Sequence, residues 1–234
     1  MSNEQPTNGQ GGRAGSGAKQ TQPAEHGAAA SLKIGVLALQ GDFAEHIAIL
    51  RRLGAEAVEV RHPEHLVDLD GLIIPGGEST AIGRLAGIYG LTEPIHKLAR
   101  GGFPVYGTCA GMIMLSNDLG DSAALMDGKP QSLFGVMDIR VKRNAFGRQL
   151  DSFETEAPIA GLGAAPFPMV FIRAPYIEAV GPAVEVLATL AHGGPVVAAR
   201  QDNLLVSAFH PELTNDSRFH QLFLDMVAAA SQGK

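Results

Sequence analysis

The sequence predicts an α/β fold, a three-layer sandwich whose central sheet is mostly parallel and gains antiparallel strands late in the chain. Through residues 32–115, short apolar runs alternate with helical patterns, which is typical of a parallel sheet covered by helices on both faces. Beyond residue 134 strand patterns dominate, which favours antiparallel additions. The composition is 45% hydrophobic and 18% charged, with 29 glycines, and it suits one compact domain with an ample core.

The first half of the predicted domain alternates strands and helices. Apolar runs predict strands at 32–39, 57–60, 72–74 and 104–106. Helical patterns predict a helix that opens at 40–42 and is stopped by Gly54, followed by helices at 80–89, 92–99 and directly after Cys109.

The second half is predicted to be rich in strands, at 134–141, 169–173, 184–190, 196–200 and 204–209. It ends in an amphipathic helix at about 219–229, with Leu222, Phe223 and Met226 on one face. We find no internal repeat.

Residues 1–31 are predicted to be a disordered tail ahead of the domain at 32–230. Apart from Met1, the first thirty residues contain no Val, Ile, Leu, Met, Phe, Tyr, Trp or Cys. They bury too little apolar surface to offset the entropy of ordering, and they have no apolar core of a secretory signal. We expect this tail to be dispensable for folding.

The charge and the cysteine content exclude several classes of protein. A formal net charge of −6 provides no basic field for nucleic acid or an anionic membrane. No apolar run approaches the roughly 20 residues of a membrane-spanning helix. One cysteine cannot form an intrachain disulfide, which favours a reducing, cytoplasmic compartment.

That cysteine, Cys109, lies between Gly107 and Gly111, where a predicted strand turns into a helix. This is the cysteine form of the nucleophile elbow, in which small neighbours permit strained backbone angles and the helix amino terminus stabilises a thiolate. Without that context, a lone cysteine is more often a buried structural residue. Predicted donors to an oxyanion are the N–H of Ala110 and the turn at 76–77, although Pro-Gly-Gly by itself also fits an ordinary turn.

His210 is the histidine best placed to act as a base. It follows the predicted strand 204–209, at the carboxyl edge of the sheet, where parallel α/β proteins place their active sites. Pro211 biases His210 toward an extended conformation, in which Glu212 points the same way and accepts its Nδ1–H. Cys109, His210 and Glu212 thus form a predicted catalytic triad.

The other histidines have simpler explanations. Three lie in helical patterns and are predicted to be surface or packing residues: His46, His96 and His220. The spacing of His62 and His65 suits a metal ion, but the sequence has no third ligand near them.

Longer strings around these residues resemble the PdxT/SNO family of class I glutamine amidotransferases, the glutaminase subunits of pyridoxal 5′-phosphate synthase. The resemblance covers about residues 32–230 and rests on the strings at 34–41 (IGVLALQG), 72–80 (LIIPGGEST), 107–111 (GTCAG), 143–153 (RNAFGRQLDSF), 171–175 (FIRAP) and 207–214 (SAFHPELT). The second and fourth strings are more specific than the triad, which many amidotransferases share. The resemblance implies a flavodoxin-like, class I glutamine amidotransferase fold.

The resemblance also implies a substrate, a site and a partner. Cys109 would attack the side-chain amide of L-glutamine, which would be bound by Gly77, Glu78, Ser79, Arg143, Ile172 and Arg173. A carboxylate suits the α-ammonium of glutamine and a guanidinium its α-carboxylate. The implied partner is the synthase subunit PdxS, which would receive the ammonia through a channel in a complex of twelve subunits of each kind. No cofactor and no metal are implied.

Strand alternation independently favours a site role for Arg143, since it shares the parity of the apolar residues Ile139 and Val141.

Three other functions stay open at this point. They are an amidotransferase subunit of another pathway such as imidazole glycerol phosphate synthesis, a cysteine peptidase-like or chaperone-like protein, and a catalytically silent module that regulates a synthase. The arginine string at 143–153 disfavours the first, and the His-Pro-Glu string at 210–212 disfavours the second.

Overall fold

The computed structural model describes residues 31–123, 125–126, 129–143, 152–191 and 193–232. These residues belong to one compact unit, Ser31–Lys234. Except for Ser31, the tail predicted at 1–31 lies outside the described residues, as does the stretch 144–151 of the arginine string.

Five helices and fourteen strands lie in the described part of the chain. The helices are α1 (Phe43–Arg52), α2 (Ser79–Ile88), α3 (Thr92–Arg100), α4 (Ala110–Leu115) and α5 (Arg218–Gln232). The strands of the first half are β1 (Lys33–Leu37), β2 (Glu56–Val60), β3 (Gly71–Ile74), β4 (Val105–Thr108), β5 (Ser116–Asp118), β6 (Leu125–Met126) and β7 (Lys129–Pro130). Those of the second half are β8 (Met137–Lys142), β9 (Ser152–Ala157), β10 (Phe167–Ile172), β11 (Tyr176–Val180), β12 (Glu185–Thr189), β13 (Val196–Gln201) and β14 (Leu204–Ser207).

Ten of these strands form one sheet, in the order β2-β1-β3-β4-β14-β13-β11-β8-β5, with β12 paired to β13. From β2 to β14 every neighbouring pair is parallel, whereas β13 runs antiparallel to β14, β12 and β11. The predicted fold class, a mostly parallel sheet with antiparallel strands added late, is confirmed. Strand β14 lies in the centre of the sheet, beside β4. The residues that follow β14 therefore lie next to the elbow at Cys109.

The two faces of the sheet are covered by different helices, as two consecutive residues of β4 illustrate. The ring of Tyr106 packs against Phe219 and Phe223 of α5, at 5.4 and 5.7 Å between ring centroids. A Cβ on Gly107, which faces the other way, would lie 2.6 Å from the backbone of Gly111 in α4. Helices α1 and α5 therefore lie on one face and α4 on the other, with α2 packed on α4.

The structure contains strands that the hydrophobic pattern did not predict, above all β9 and β11. Strand β9 is polar and largely exposed, and it forms a separate hairpin with β10, to which the stacked rings of Phe153 and Phe171 tie it at 4.6 Å. Pairing partners rather than periodicity determine such a strand. None of the described helices is both long and apolar enough to cross a bilayer.

Candidate active site

The functional residues lie where three adjacent parallel strands end. Strands β3, β4 and β14 are neighbours in the sheet and end at the same edge. The turn at 75–79 follows β3, Cys109 directly follows β4, and His210 is the third residue after β14. This is the edge at which open α/β sheets place their ligands.

Cys109 adopts a backbone conformation that is rare for a residue with a side chain, with φ 47° and ψ −103°. Its N–H donates to the carbonyl oxygen of Ser207 at 2.7 Å, which ties the elbow to β14. A Cβ on Gly111 would lie 2.0 Å from the carbonyl oxygen of Ile74. Only glycine therefore lets α4 approach β3 closely enough to form the elbow that the sequence predicted.

His210 and Glu212 form a buried hydrogen bond, with 2.7 Å between Nδ1 and Oε1. The prediction of an extended segment is wrong, because Pro211–Leu213 is a turn of 3₁₀ helix. The N–H of Leu213 donates to the carbonyl oxygen of His210, and this turn brings the two side chains together. The backbone N–H of His210 is itself held by the carbonyl oxygen of Val170 at 2.8 Å.

The charges around His210 favour its protonated form. Burial lowers its pKa, but hydrogen bonds to Cys109 and Glu212, together with their charges, raise the pKa to about 10. Burial raises the pKa of Glu212, and the hydrogen bond and charge of His210 oppose that shift. The Oδ2 atom of Asp42 lies 3.6 Å from His210 Nδ1 and adds negative charge on the solvent side.

Asp42, His210 and Glu212 also place ligand atoms within 4.8 Å of one another, close enough to hold a metal ion. His210 Nδ1 and Glu212 Oε1 are already joined by the hydrogen bond at 2.7 Å, so this set has a role without a metal.

A cavity of about 240 Å³ opens beside Cys109. The six residues predicted to bind glutamine all line it: Gly77, Glu78, Ser79, Arg143, Ile172 and Arg173. Drug-sized ligands occupy about 300–1,000 Å³, so this cavity suits a smaller molecule such as an amino acid. A larger and more open groove of about 910 Å³, beside the β9–β10 hairpin, contains none of the predicted site residues.

Arg143 is positioned in the cavity by residues from two other segments. Its Nη1–H donates to Gln131 Oε1 at 2.8 Å, and its Nη2 lies 3.5 Å from Glu78 Oε1. The buried Gln131 in turn contacts Ser79 Oγ at 3.5 Å. The alternation of buried and exposed residues along β8 agrees with the predicted parity of Arg143. Sequence reasoning missed Gln131, and no pattern around it signals its role.

Glu78 has a structural role besides lining the cavity. Its carboxylate caps α2 by accepting the N–H groups of Thr80 and Ala81, at 3.0 and 2.7 Å. Burial raises the pKa of Glu78, but these hydrogen bonds and the charge of Arg143 lower it below its ordinary value. Glu78 is thus held ionised and oriented at the cavity edge.

The glycine turn after β3 is locked against the loop after β1. Gln40 accepts the N–H of Glu78 at 2.7 Å, and the Asp42 N–H lies 3.4 Å from the Gly76 carbonyl oxygen. A Cβ on Gly76 would lie 2.4 Å from the ring of His210, and Gly77 has φ 145°. Both glycines are therefore required for the turn to pass so close to the triad, a role that an ordinary turn does not have.

His46 and His220, predicted as surface or packing residues, are fully buried. His46 Nδ1 lies 2.9 Å from His220 Nε2, within hydrogen-bond distance. His46 Nε2 lies 3.5 Å from Glu212 Oε2. Packing was the correct alternative, but nothing in the sequence indicated their closeness to the triad. They lie 174 residues apart in the chain. The third, His96, is partly buried and its Nδ1 contacts the carbonyl oxygen of Phe134.

The sheet order, the elbow cysteine and the small polar cavity at the sheet edge fit the class I glutamine amidotransferases. The chain belongs to the SNO glutamine amidotransferase family, whose model matches residues 36–229. The resemblance found in the sequence is thereby confirmed.

Similar proteins carry a more particular name. A "Pyridoxal 5′-phosphate synthase subunit PdxT" from Dehalococcoides mccartyi is 56% identical over 197 residues, which is 84% of this chain and 97% of the relative. A protein of the same name from Streptomyces avermitilis is 54% identical over 196 residues, 84% of this chain and 94% of the relative. A solved structure described as a glutamine amidotransferase is 48% identical, has a TM-score of 0.76, and covers 83% of this chain and 98% of its own.

Proposed function

We propose that this chain hydrolyses L-glutamine to L-glutamate and ammonia with a catalytic triad of Cys109, His210 and Glu212. It is the glutaminase subunit of a pyridoxal 5′-phosphate synthase. The observation that carries this proposal is the convergence of the three residues at one sheet edge. They meet beside a cavity lined by six residues expected to bind glutamine. Relatives named for that subunit, at 54–56% identity over 84% of the chain, support the same function.

In the first half of the reaction the Cys109 thiolate attacks the side-chain amide carbon of glutamine and forms a C–S bond. The raised pKa of His210 keeps its imidazole protonated at neutral pH, ready to act as a general acid. As the tetrahedral intermediate collapses, the C–N bond breaks and His210 gives its proton to the leaving nitrogen, which departs as ammonia. A γ-glutamyl thioester remains on Cys109.

In the second half, water attacks the thioester carbonyl and neutral His210 accepts its proton. The C–S bond breaks, glutamate leaves, and the thiolate–imidazolium pair returns. Glu212 holds the Nδ1 side of His210 through both steps. The N–H groups of Ala110 and of the turn at 76–77 are the proposed donors to the oxyanion.

The substrate-binding roles follow from charge. Arg143 is proposed to bind the α-carboxylate of glutamine and Glu78 its α-ammonium. Gly77 and Ser79 complete the turn beside Cys109, and Ile172 at the end of β10 and Arg173 after it form another part of the cavity wall. Arg173 has φ 44°, a left-handed conformation that redirects the chain at this wall.

The ammonia is proposed to pass to a PdxS-type synthase subunit rather than into solution, where it would be protonated. The proposed complex contains twelve subunits of each kind and lies in the cytoplasm. Residues 32–230 are proposed to be the glutaminase domain, and residues 1–31 a disordered tail that takes no part in the reaction.

The test is a glutaminase assay with and without a PdxS-type partner. Wild-type protein is expected to release glutamate, and Cys109→Ala is expected to lose this activity while still binding the partner. Substantial turnover by Cys109→Ala would contradict the mechanism. A wild-type protein that binds the partner but never hydrolyses glutamine would instead favour the silent regulatory module.

A further inference from the structure

A line of buried polar groups continues behind the proposed triad. Glu212 bonds His210 through Oε1, and its other oxygen, Oε2, lies 3.5 Å from Nε2 of His46. His46 Nδ1 lies 2.9 Å from Nε2 of His220. The side chains of His46 and Glu212 are both without solvent exposure. Three elements meet here: α1, the turn after β14, and α5.

The Oε2 atom of Glu212 has an unmet need for a donor. It is buried, and among the described residues it has no hydrogen bond of ordinary length and angle. A buried carboxylate oxygen without a donor is costly, because its desolvation is not compensated by a hydrogen bond. The approach of His46 Nε2 at 3.5 Å is longer than an ordinary bond, and contacts of this kind in catalytic sites commonly tighten when substrate binds.

The contacts assign the protons of the two histidines. Burial, followed by the charges of His220 and His210, lowers the pKa of His46 well below its usual value, so that His46 is neutral and carries one N–H. If that proton is on Nε2, it faces Glu212 Oε2, and Nδ1 accepts the Nε2–H of His220. In the opposite tautomers the protons are on Nδ1 of both histidines. The lone pair of His46 Nε2 would then face the carboxylate, and the buried N–H of His220 Nδ1 would have no partner among the described atoms.

His46 also contacts the residue before the nucleophile. Its Nε2 lies 3.3 Å from Oγ1 of Thr108, the last residue of β4. The Nε2–H of His46 is therefore close to two segments of the site: strand β4, which precedes Cys109, and the turn that contains Glu212. Tyr106 packs edge-on against the His46 ring at 6.3 Å and fixes its plane.

Burial is the main cause that keeps both rings neutral. Burial, together with the charge of Arg52, lowers the pKa of His220 to about 3. Tyr106 lies edge-on to His220 at 6.1 Å, and burial followed by the charge of Glu212 raises its pKa well above the ordinary value. The carboxylate oxygen Oε2 of Glu212 lies 3.5 Å from His46 Nε2, and Arg52 is the cation that acts on His220.

We propose that His46 is a positioning residue for the catalytic carboxylate: it donates its Nε2–H to Glu212 Oε2, so that Oε1 stays directed at His210, while His220 fixes the tautomer of His46. This inference rests on the proposed function, since it assigns His46 a role through Glu212. It extends the triad inward to a chain of five side chains from Cys109 to His220. His46 is not among the residues that line the cavity beside Cys109.

The test compares His46→Leu, which removes the donor, with His46→Gln, whose amide N–H₂ lies near the position of Nε2. Each variant is assembled with its PdxS-type partner and assayed for kcat and KM. The control is His96→Leu, which removes the contact of a partly buried histidine on α3 with the carbonyl oxygen of Phe134. We expect His46→Leu to lower kcat about 10- to 100-fold with KM for glutamine little changed, because the triad is misaligned. His46→Gln should recover most of the loss, and His96→Leu should keep the wild-type kcat.

A second readout needs no turnover. The chain has one cysteine, so the rate of iodoacetamide alkylation reports Cys109 alone. With Glu212 misplaced, His210 holds its proton less tightly, so the alkylation midpoint of His46→Leu should move to higher pH. If His46→Leu does not fold, His46→Gln and His46→Asn replace it, and only the glutamine variant should keep the wild-type midpoint.

Unchanged kcat and alkylation midpoint in a folded His46→Leu would overturn the inference. Equal defects in His46→Gln and His46→Asn would overturn it as well, because a merely structural role does not distinguish the position of the donor. The proposed function fails separately, if wild-type turnover does not depend on Cys109.

Discussion

Arg143 and Glu78 face each other in the cavity, with 3.5 Å between Nη2 and Oε1. They are the two charged groups proposed to bind the opposite ends of glutamine. The Glu78 side chain is 53% exposed, and an ion pair of this kind contributes little stability. The α-carboxylate and α-ammonium of the substrate can therefore replace this pair at small cost, while Gln131 and the α2 cap hold the two groups in place.

Arg143→Ala should raise KM for glutamine about 10- to 100-fold with little change in kcat. The lost contact is a charge-assisted hydrogen bond present in both ground and transition states. Steady-state kinetics with the synthase partner provides the measurement. Arg140→Ala is the matched control, since Arg140 is exposed on β8, three residues before Arg143, and pairs with Asp118. A pure kcat defect in Arg143→Ala would indicate a structural role instead.

Gly111→Ala should destabilise the protein by about 1–3 kcal/mol, because its Cβ would lie 2.0 Å from the Ile74 carbonyl oxygen and push α4 off β3. Gly87→Ala, on the exposed side of α2 with no atom within 4 Å of its Cβ, should stabilise the protein by about 0.5–1 kcal/mol. Denaturant unfolding of both variants tests the pair. Equal effects at the two sites would contradict the close approach at the elbow.

His210 should titrate near pH 10 in the folded protein, as its pKa is raised from 6.5 to about 10. A raised pKa contributes stability that is fully present below pH 6.5 and is lost as the pH rises through the folded value. The difference in unfolding free energy between wild type and His210→Gln should therefore shrink from pH 6.5 to pH 10. The imidazole NMR shifts of His210, followed against pH, provide a direct check. A titration midpoint near pH 6.5 would contradict the stabilisation of protonated His210 by its neighbours.

Deleting residues 2–30 should leave turnover unchanged and shift the melting temperature by no more than about 2 °C, as for changes outside a folded core. The deletion stops at 30 because Ser31 Oγ donates to the carbonyl oxygen of Gly54 at 2.9 Å and accepts the N–H of Glu56 at 3.1 Å. Calorimetry and the partner-coupled assay test both expectations. Loss of folding would show that the tail belongs to the domain.

Much of the site was predictable because its residues follow strand ends. Cys109 was recognisable from its glycines, and His210 from its place after an apolar strand, since parallel strands bring their carboxyl ends to one edge. Gln131 was not predictable, because it lies outside any regular element and acts through its contacts with Arg143 and Ser79. The same holds for Gln40, whose side chain reaches a turn 38 residues away in the chain.

The sequence by itself determined the elements that local chemistry specifies: the alternating strands and helices, the elbow at Cys109, and the parity of Arg143 on β8. The family followed from the same strings. Only the tertiary structure decided which distant groups meet, because burial and pairing depend on the whole sheet. The 3₁₀ turn that joins His210 to Glu212 is one such feature, and the contact of His46 and His220 behind Glu212 is another. Periodicity places a residue on a face, but packing alone decides which residue of another element it contacts.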